Sequence, residues 1–242
     1  MLKKRIAIGI ALAAVTMFGV QADLYAMGKK VKKHAAFRVR IENISSSDGE
    51  TTEGGAKYPF ALSPGMFVVT EKGSDLFKLG KKASAGLKAQ AEDGNPGILS
   101  NQLLTRVGST FMGIFNKPVG SDMPAPILPG GSFEFTFQAA EGMKLNLVSM
   151  FGQSNDLFYA PKQSIALFDA NGNPLTGDIT GDISLWDAGT EVNQAPGIGP
   201  DQAPRQKAAG QGTRENAVVG PVKDGFVYPN TKDVLRVTIT VE

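Results

Sequence analysis

The chain has 242 residues, 25 lysines and arginines, 23 aspartates and glutamates, one histidine and no cysteine. Lacking cysteine, it can form no disulfide, thiolate metal site or cysteine nucleophile, so its core rests on burial alone. Three of the 25 basic residues and none of the 23 acidic ones lie in the first 22 positions, leaving 22 against 23 beyond them, a net of −1 and no electrostatic case for nucleic acid.

Lys3, Lys4 and Arg5 precede an apolar stretch over residues 6–20, and Val20 and Ala22 put small residues where a signal peptidase reads. This predicts a signal peptide over residues 1–22. The apolar run falls short of the roughly 20 residues of a spanning helix and contains Gly9, Thr16 and Gly19. No cysteine follows for a lipid anchor and no twin arginine precedes it, so Sec export to a periplasmic, cell-surface or secreted location is expected. No transmembrane segment is expected after cleavage. Residues 23–36 read as a basic arm with Lys29, Lys30, Lys32, Lys33 and His34, a solvated terminus able to touch acidic polymers or lipid headgroups.

Residues 37–242 read as one β domain. Phe37, Val39 and Ile41 alternate with Arg38 and Arg40, as in a half-buried strand. Residues 43–55 are a polar loop, and Ser63-Pro64-Gly65 is a turn signal before a strand over residues 66–70. Residues 84–91 favour helix, Asp93-Gly94-Asn95-Pro96 stops it, and Pro96 opens a second helix to about residue 106. This helical insertion is expected to cover a sheet edge or carry a loop. Further strands are expected over residues 132–137, 144–151, 165–168, 183–186 and 234–241, with a hairpin turn at Asp169-Ala170-Asn171-Gly172-Asn173-Pro174. Short strands with Gly and Pro turns predict an all-β antiparallel sandwich. Residues 193–213 form a long Pro-, Gly-, Gln- and Ala-rich connection, either functional or mobile.

Two acidic segments end strand-like runs: Ser154-Asn155-Asp156-Leu157-Phe158 and Trp186-Asp187-Ala188-Gly189-Thr190-Glu191. If the strands before Asp156 and Asp187 run the same way, both carboxylates emerge at one rim. Glu191 would lie about 13 Å from Asp187 on a continuous strand, and a turn at Ala188-Gly189 is needed to fold it back. Asp156, Asp187 and Glu191 are the candidate metal ligands. Oxygen-only ligands select hard cations, with calcium ahead of magnesium. The same residue types also open turns by accepting backbone N–H groups, so spacing alone leaves both readings open.

Five segments resemble the spondin domain family, in its bacterial secreted form: Phe37-Arg38-Val39-Arg40-Ile41-Glu42-Asn43, Leu62-Ser63-Pro64-Gly65, Gly131-Ser132-Phe133-Glu134-Phe135, Met150-Phe151-Gly152-Gln153-Ser154-Asn155-Asp156 and Trp186-Asp187-Ala188-Gly189-Thr190-Glu191-Val192-Asn193. The resemblance implies a C2-like β-sandwich with calcium at one rim, held by residues matching Asp156, Asp187 and Glu191. Two positions depart from the animal pattern: Leu157 stands where it has tryptophan, and Glu191 where it has aspartate.

The expected function is an exported, non-enzymatic, calcium-binding adhesion or interaction module. Its partner would be an extracellular or cell-envelope protein, a glycan or a lipid headgroup. The competing expectations are a carboxylate-dependent glycan hydrolase and a metal-free structural envelope protein. Nucleophilic catalysis has little support, since the only histidine, His34, sits in the basic arm.

Overall fold

Alternating burial defines the first strand, β1 (His34–Asn43): Phe37, Val39 and Ile41 are buried while Arg38 is exposed. The computed structural model describes residues 31–52, 54–72, 76–104 and 111–242, so the predicted signal peptide and Lys29 and Lys30 lie outside the described residues. β1 begins at His34, so the basic arm ends at Lys33 rather than at residue 36. The described body spans Lys32–Glu242.

After β1 come β2 (Glu50–Thr51) and β3 (Lys57–Tyr58), a small ribbon within and beyond the expected polar loop. Then follow β4 (Leu62–Thr70), α1 (Ala85–Asp93), α2 (Gly97–Leu104), β5 (Phe111–Phe115), β6 (Ser132–Ala140) and β7 (Lys144–Phe151). The chain continues through β8 (Leu157–Pro161), β9 (Ile165–Ala166), β10 (Gly177–Asp178), β11 (Ile183–Asp187) and β12 (Gly220–Pro221). It closes with a helical turn, α3 (Thr231–Val234), and β13 (Leu235–Val241).

One sheet has the order β10-β13-β1-β6, and a larger one has the order β12-β11-β8-β7-β4-β5 with β9 joined to β7. All pairings are antiparallel. The fold is an all-β antiparallel sandwich with a short helical insertion, as the strand pattern predicts.

Phe37, Val39, Phe133, Phe135, Val237 and Ile239 from the smaller sheet meet Phe67, Val69, Leu145 and Leu147 from the larger one. Phe67 and Phe135 stack across the gap with ring centroids 4.2 Å apart. The larger sheet is buried on its other face too. Met66, Val68, Val148, Phe158 and Trp186 pack there against Leu87 and Ala91 of α1 and Leu99 and Leu103 of α2. The insertion therefore covers a sheet face, and α2 also reaches the edge strand β5. The cause is visible in β4 and β7, whose residues are apolar on both sides and must be covered twice. Ser84 Oγ caps α1 by accepting from Leu87 N, and Gly94 ends it with a left-handed φ of 63°.

Phe60 lies outside the strands yet is fully buried, with its ring centroid 5.3 Å from Phe151 and 5.9 Å from Tyr159. Phe60→Ala leaves an apolar cavity and is expected to cost about 3–5 kcal/mol, read as a lower urea midpoint with an unchanged slope.

Candidate metal centre

β7 and β11 both pair antiparallel with β8, so they run the same way and deliver Asp156 and Asp187 to one rim, as expected. Register tightens this: Asp187 sits opposite Leu157, and Ala188 N donates to Asp156 O at 3.2 Å. Leu157 itself turns into the core between the sheets. The turn expected at Ala188-Gly189 is present, with Gly189 at φ 66°. A Cβ there would meet the Ala217 and Val218 backbone at 2.8 and 2.9 Å, so glycine is required twice over.

The Asp156 side chain is fully buried and its two oxygens have opposite surroundings. Oδ2 accepts from Thr190 N at 2.6 Å, Thr190 Oγ1 at 3.0 Å and Glu191 N at 3.0 Å. Oδ1 is buried and accepts from nothing among the described residues. Burial, and next the nearby Asp187 charge, push this carboxyl up to about 7, against the lowering effect of its donors.

Asp156, Asp187 and Glu215 each place a carboxylate oxygen within 4.8 Å of the others. Asp187 Oδ1 accepts from Gly189 N at 2.6 Å and Oδ2 from Asn193 Nδ2 at 2.8 Å. Its pKa is raised, by burial first and by Asp224 as well. Glu215 is raised by burial, then by Asp187 and Asp224, while Lys82 opposes the shift. Asn193 Oδ1 is another buried acceptor with no partner among the described residues. Asp187, Asn193 and Glu215 line a cleft of about 340 Å³, with Lys223, Asp224 and Phe226 also in its wall.

Glu191 is not in that group of three. The turn brings its backbone N–H to Asp156, while its carboxylate lies among Glu92, Lys88 and Asn155. Burial and then Glu92 push Glu191 up to about 8, with a smaller raising effect from Asp156. Its Oε2 is buried without a partner, and Gly212 packs so close that an added Cβ would fall 2.1 Å from it. Glu215 takes the place that the sequence reading gave to Glu191. The segment carrying Glu215 pairs with the acidic turn: Val192 N donates to Thr213 O at 2.7 Å, Glu215 N to Thr190 O at 3.2 Å and Ala217 N to Gly189 O at 2.8 Å. Nothing local in Arg214-Glu215-Asn216 announces this long-range pairing. Asn193, in contrast, belongs to a motif already singled out.

The connection over residues 193–213 is tied to the body at several points, although residues 207–213 are exposed. Its Gln202 is fully buried, Arg205 donates to Gln153 Oε1 at 3.0 Å, and Gln206 Nε2 and Gly210 N donate to Asp93 Oδ1 at 2.9 and 2.8 Å. The Asp169 turn is closed by its own bonds, since Oδ1 accepts from Asn171 N and Asn173 N, both at 2.8 Å. These bonds hold the Asp169 carboxyl below the usual range, as suits a turn.

The donor set fits a hard divalent cation. It consists of carboxylate oxygens with an adjacent amide oxygen, and two of these acceptors are buried with no donor. No family model matches the chain, and no curated protein matches it.

In metal-free protein the raised Asp156 value has a definite sign. Its stabilising contribution is complete below the ordinary aspartate pKa of about 3.9 and is lost as pH rises through about 7. Urea unfolding in EDTA is expected to show stability falling across this window, at up to roughly 1.4 kcal/mol per pH unit from this group. Asp156→Asn keeps an acceptor for Thr190 and Glu191 and removes the charge, so it is expected to flatten the profile and raise metal-free stability at neutral pH.

Proposed function

We propose that this chain is an exported, non-enzymatic, calcium-binding interaction module of the spondin type. The observation that carries the reading is the buried, donorless Asp156 Oδ1 beside the carboxylates of Asp187 and Glu215. Leaving such an oxygen without a partner costs about 1–3 kcal/mol or more for a charged group. A divalent cation removes that cost and offsets the burial and the neighbouring negative charge that raise all three pKa values.

Calcium is favoured over softer metals because the group offers only oxygen, and over magnesium because an irregular set of carboxylates suits its flexible geometry. Asp156, Asp187 and Glu215 would hold it, with Asn193 Oδ1 as the adjacent neutral oxygen. When bound, the ion supplies two positive charges and positions for outside oxygens. Calcium takes about six to eight oxygens, more than these side chains offer singly, and the cleft beside Asp187 and Glu215 gives a partner's oxygens or water access to the rest. The leader and the five spondin-like segments support export and an adhesion role. An envelope or extracellular protein, a glycan or a lipid headgroup is the class of partner.

Calcium is expected to raise the melting temperature in a concentration-dependent way, worth about 2.7 kcal/mol at a hundredfold excess over Kd. Calorimetry that records neither heat nor a thermal shift sinks the proposal. Glu215→Gln should weaken calcium binding at least tenfold, and Glu191→Gln by only a few-fold. The reverse order would return the third ligand to Glu191.

A further inference from the structure

A second cleft lies beside the 214–217 segment. It has a volume of about 310 Å³ and is lined by Lys82, Ala83, Lys88, Arg214 and Asn216, with Gly189 and Thr190 from the acidic turn. Arg214 and Asn216 face it, while Glu215 lines the carboxylate cleft described above. Ala217 lines both clefts, and Asn216 turns the chain between them with a left-handed φ of 61°. No acidic residue lines the second cleft.

Its cationic groups come from separate parts of the chain. Lys82 precedes α1 and Lys88 lies within it, while Arg214 comes from the far segment. Two of them are held in place by the protein: Lys82 Nζ donates to Asn216 O, and Lys88 pairs with Glu92. Glu92 offsets the Lys88 charge, and Lys82 also acts on Glu215, so part of this charge is already used. Arg214 is exposed, lines the cleft and has no side-chain hydrogen bond or ion pair with any described residue, so its N–H donors are unengaged.

We propose that this cleft binds a phosphoryl or sulfate oxyanion, with Arg214 as its principal donor and Lys82 as the second. A tetrahedral oxyanion presents several acceptor oxygens, which suits donors converging from different elements. Arg214 can take two of these oxygens in a bidentate pair while Lys82 acts as a point charge. The chemistry is shared by free phosphate and by a phospholipid headgroup. The assignment stands apart from the calcium reading, because none of Lys82, Lys88 and Arg214 is among the carboxylates proposed to hold the ion.

The test is calorimetric titration of the protein with inorganic phosphate in EDTA, against chloride at matched ionic strength, together with sedimentation on phosphatidylglycerol vesicles. EDTA separates this site from any anion bridged by bound calcium. Phosphate should bind wild-type protein, Arg214→Ala should weaken it about tenfold or more, and Lys82→Ala should weaken it severalfold. Lys117→Ala, an exposed lysine outside the cleft, should leave it unchanged. Arg214 has no partner to lose, so its variant is expected to fold as wild type. Phosphate binding without vesicle binding assigns a free oxyanion, and vesicle binding that phosphate displaces assigns a headgroup. Phosphate acting no differently from chloride with no Arg214-dependent vesicle binding, or equal binding by the Arg214 variant, overturns the proposal.

Discussion

The Asp156 carboxylate ties this rim together through the contrast between its two oxygens. One gathers three donors from Thr190 and Glu191 and so fixes the turn after β11. The other is buried with no donor, beside two more carboxylates. Three charge-assisted hydrogen bonds would ordinarily pull an aspartate well below its usual pKa. Here burial and the Asp187 charge win, and the group rises to about 7. The fold therefore holds a deficit of positive charge at a point where the backbone is already committed.

That commitment comes from the layers beneath. The inter-sheet core and the helical layer bury the larger sheet on both faces, which fixes β7, β8 and β11 side by side. Once their register is set, Asp156 and Asp187 share a rim without any contribution from their own attraction to a ligand. The 193–213 connection adds a second constraint. Asp93, at the end of α1, accepts from Gln206 and Gly210, so the same helix that covers the sheet also holds down the loop leading to Glu215. Sheet, helix and loop converge on three side chains far apart in sequence.

The sequence pattern was legible where one strand face is buried and the other is wet. β1 and β6 alternate cleanly, and β7 and β11 are found within a residue of their bounds. β8 escapes such reading because every residue in it is buried, leaving no alternation and no separation from the preceding turn. β5 escapes too, as a short edge strand with Gly113 at its centre. At the site, Asp156 and Asp187 could be placed from strand direction alone. Glu215 could not, since its position depends on 213–217 pairing with 189–192 across a long loop. Glu191 follows Asp187 by four residues, yet the turn that returns its N–H to Asp156 directs its carboxylate towards Glu92 and Gly212.

The paired segment also explains how opposite charges can be kept apart within four residues. Arg214 and Glu215 are adjacent in sequence, and on a helix or in a loose loop they would share one solvated surface. Paired with the acidic turn, they line different clefts. Glu215 then meets Asp156 and Asp187, and Arg214 shares its cleft with Lys82, which also acts on Glu215. Each cleft gathers mainly like charges, offset in part by Lys223 beside the carboxylates and by Glu92 on Lys88. A surface with no ligand to bind gains stability from mixing its charges. Here the backbone pairing sorts them instead, and two buried acceptors on the carboxylate side have no donor among the described residues.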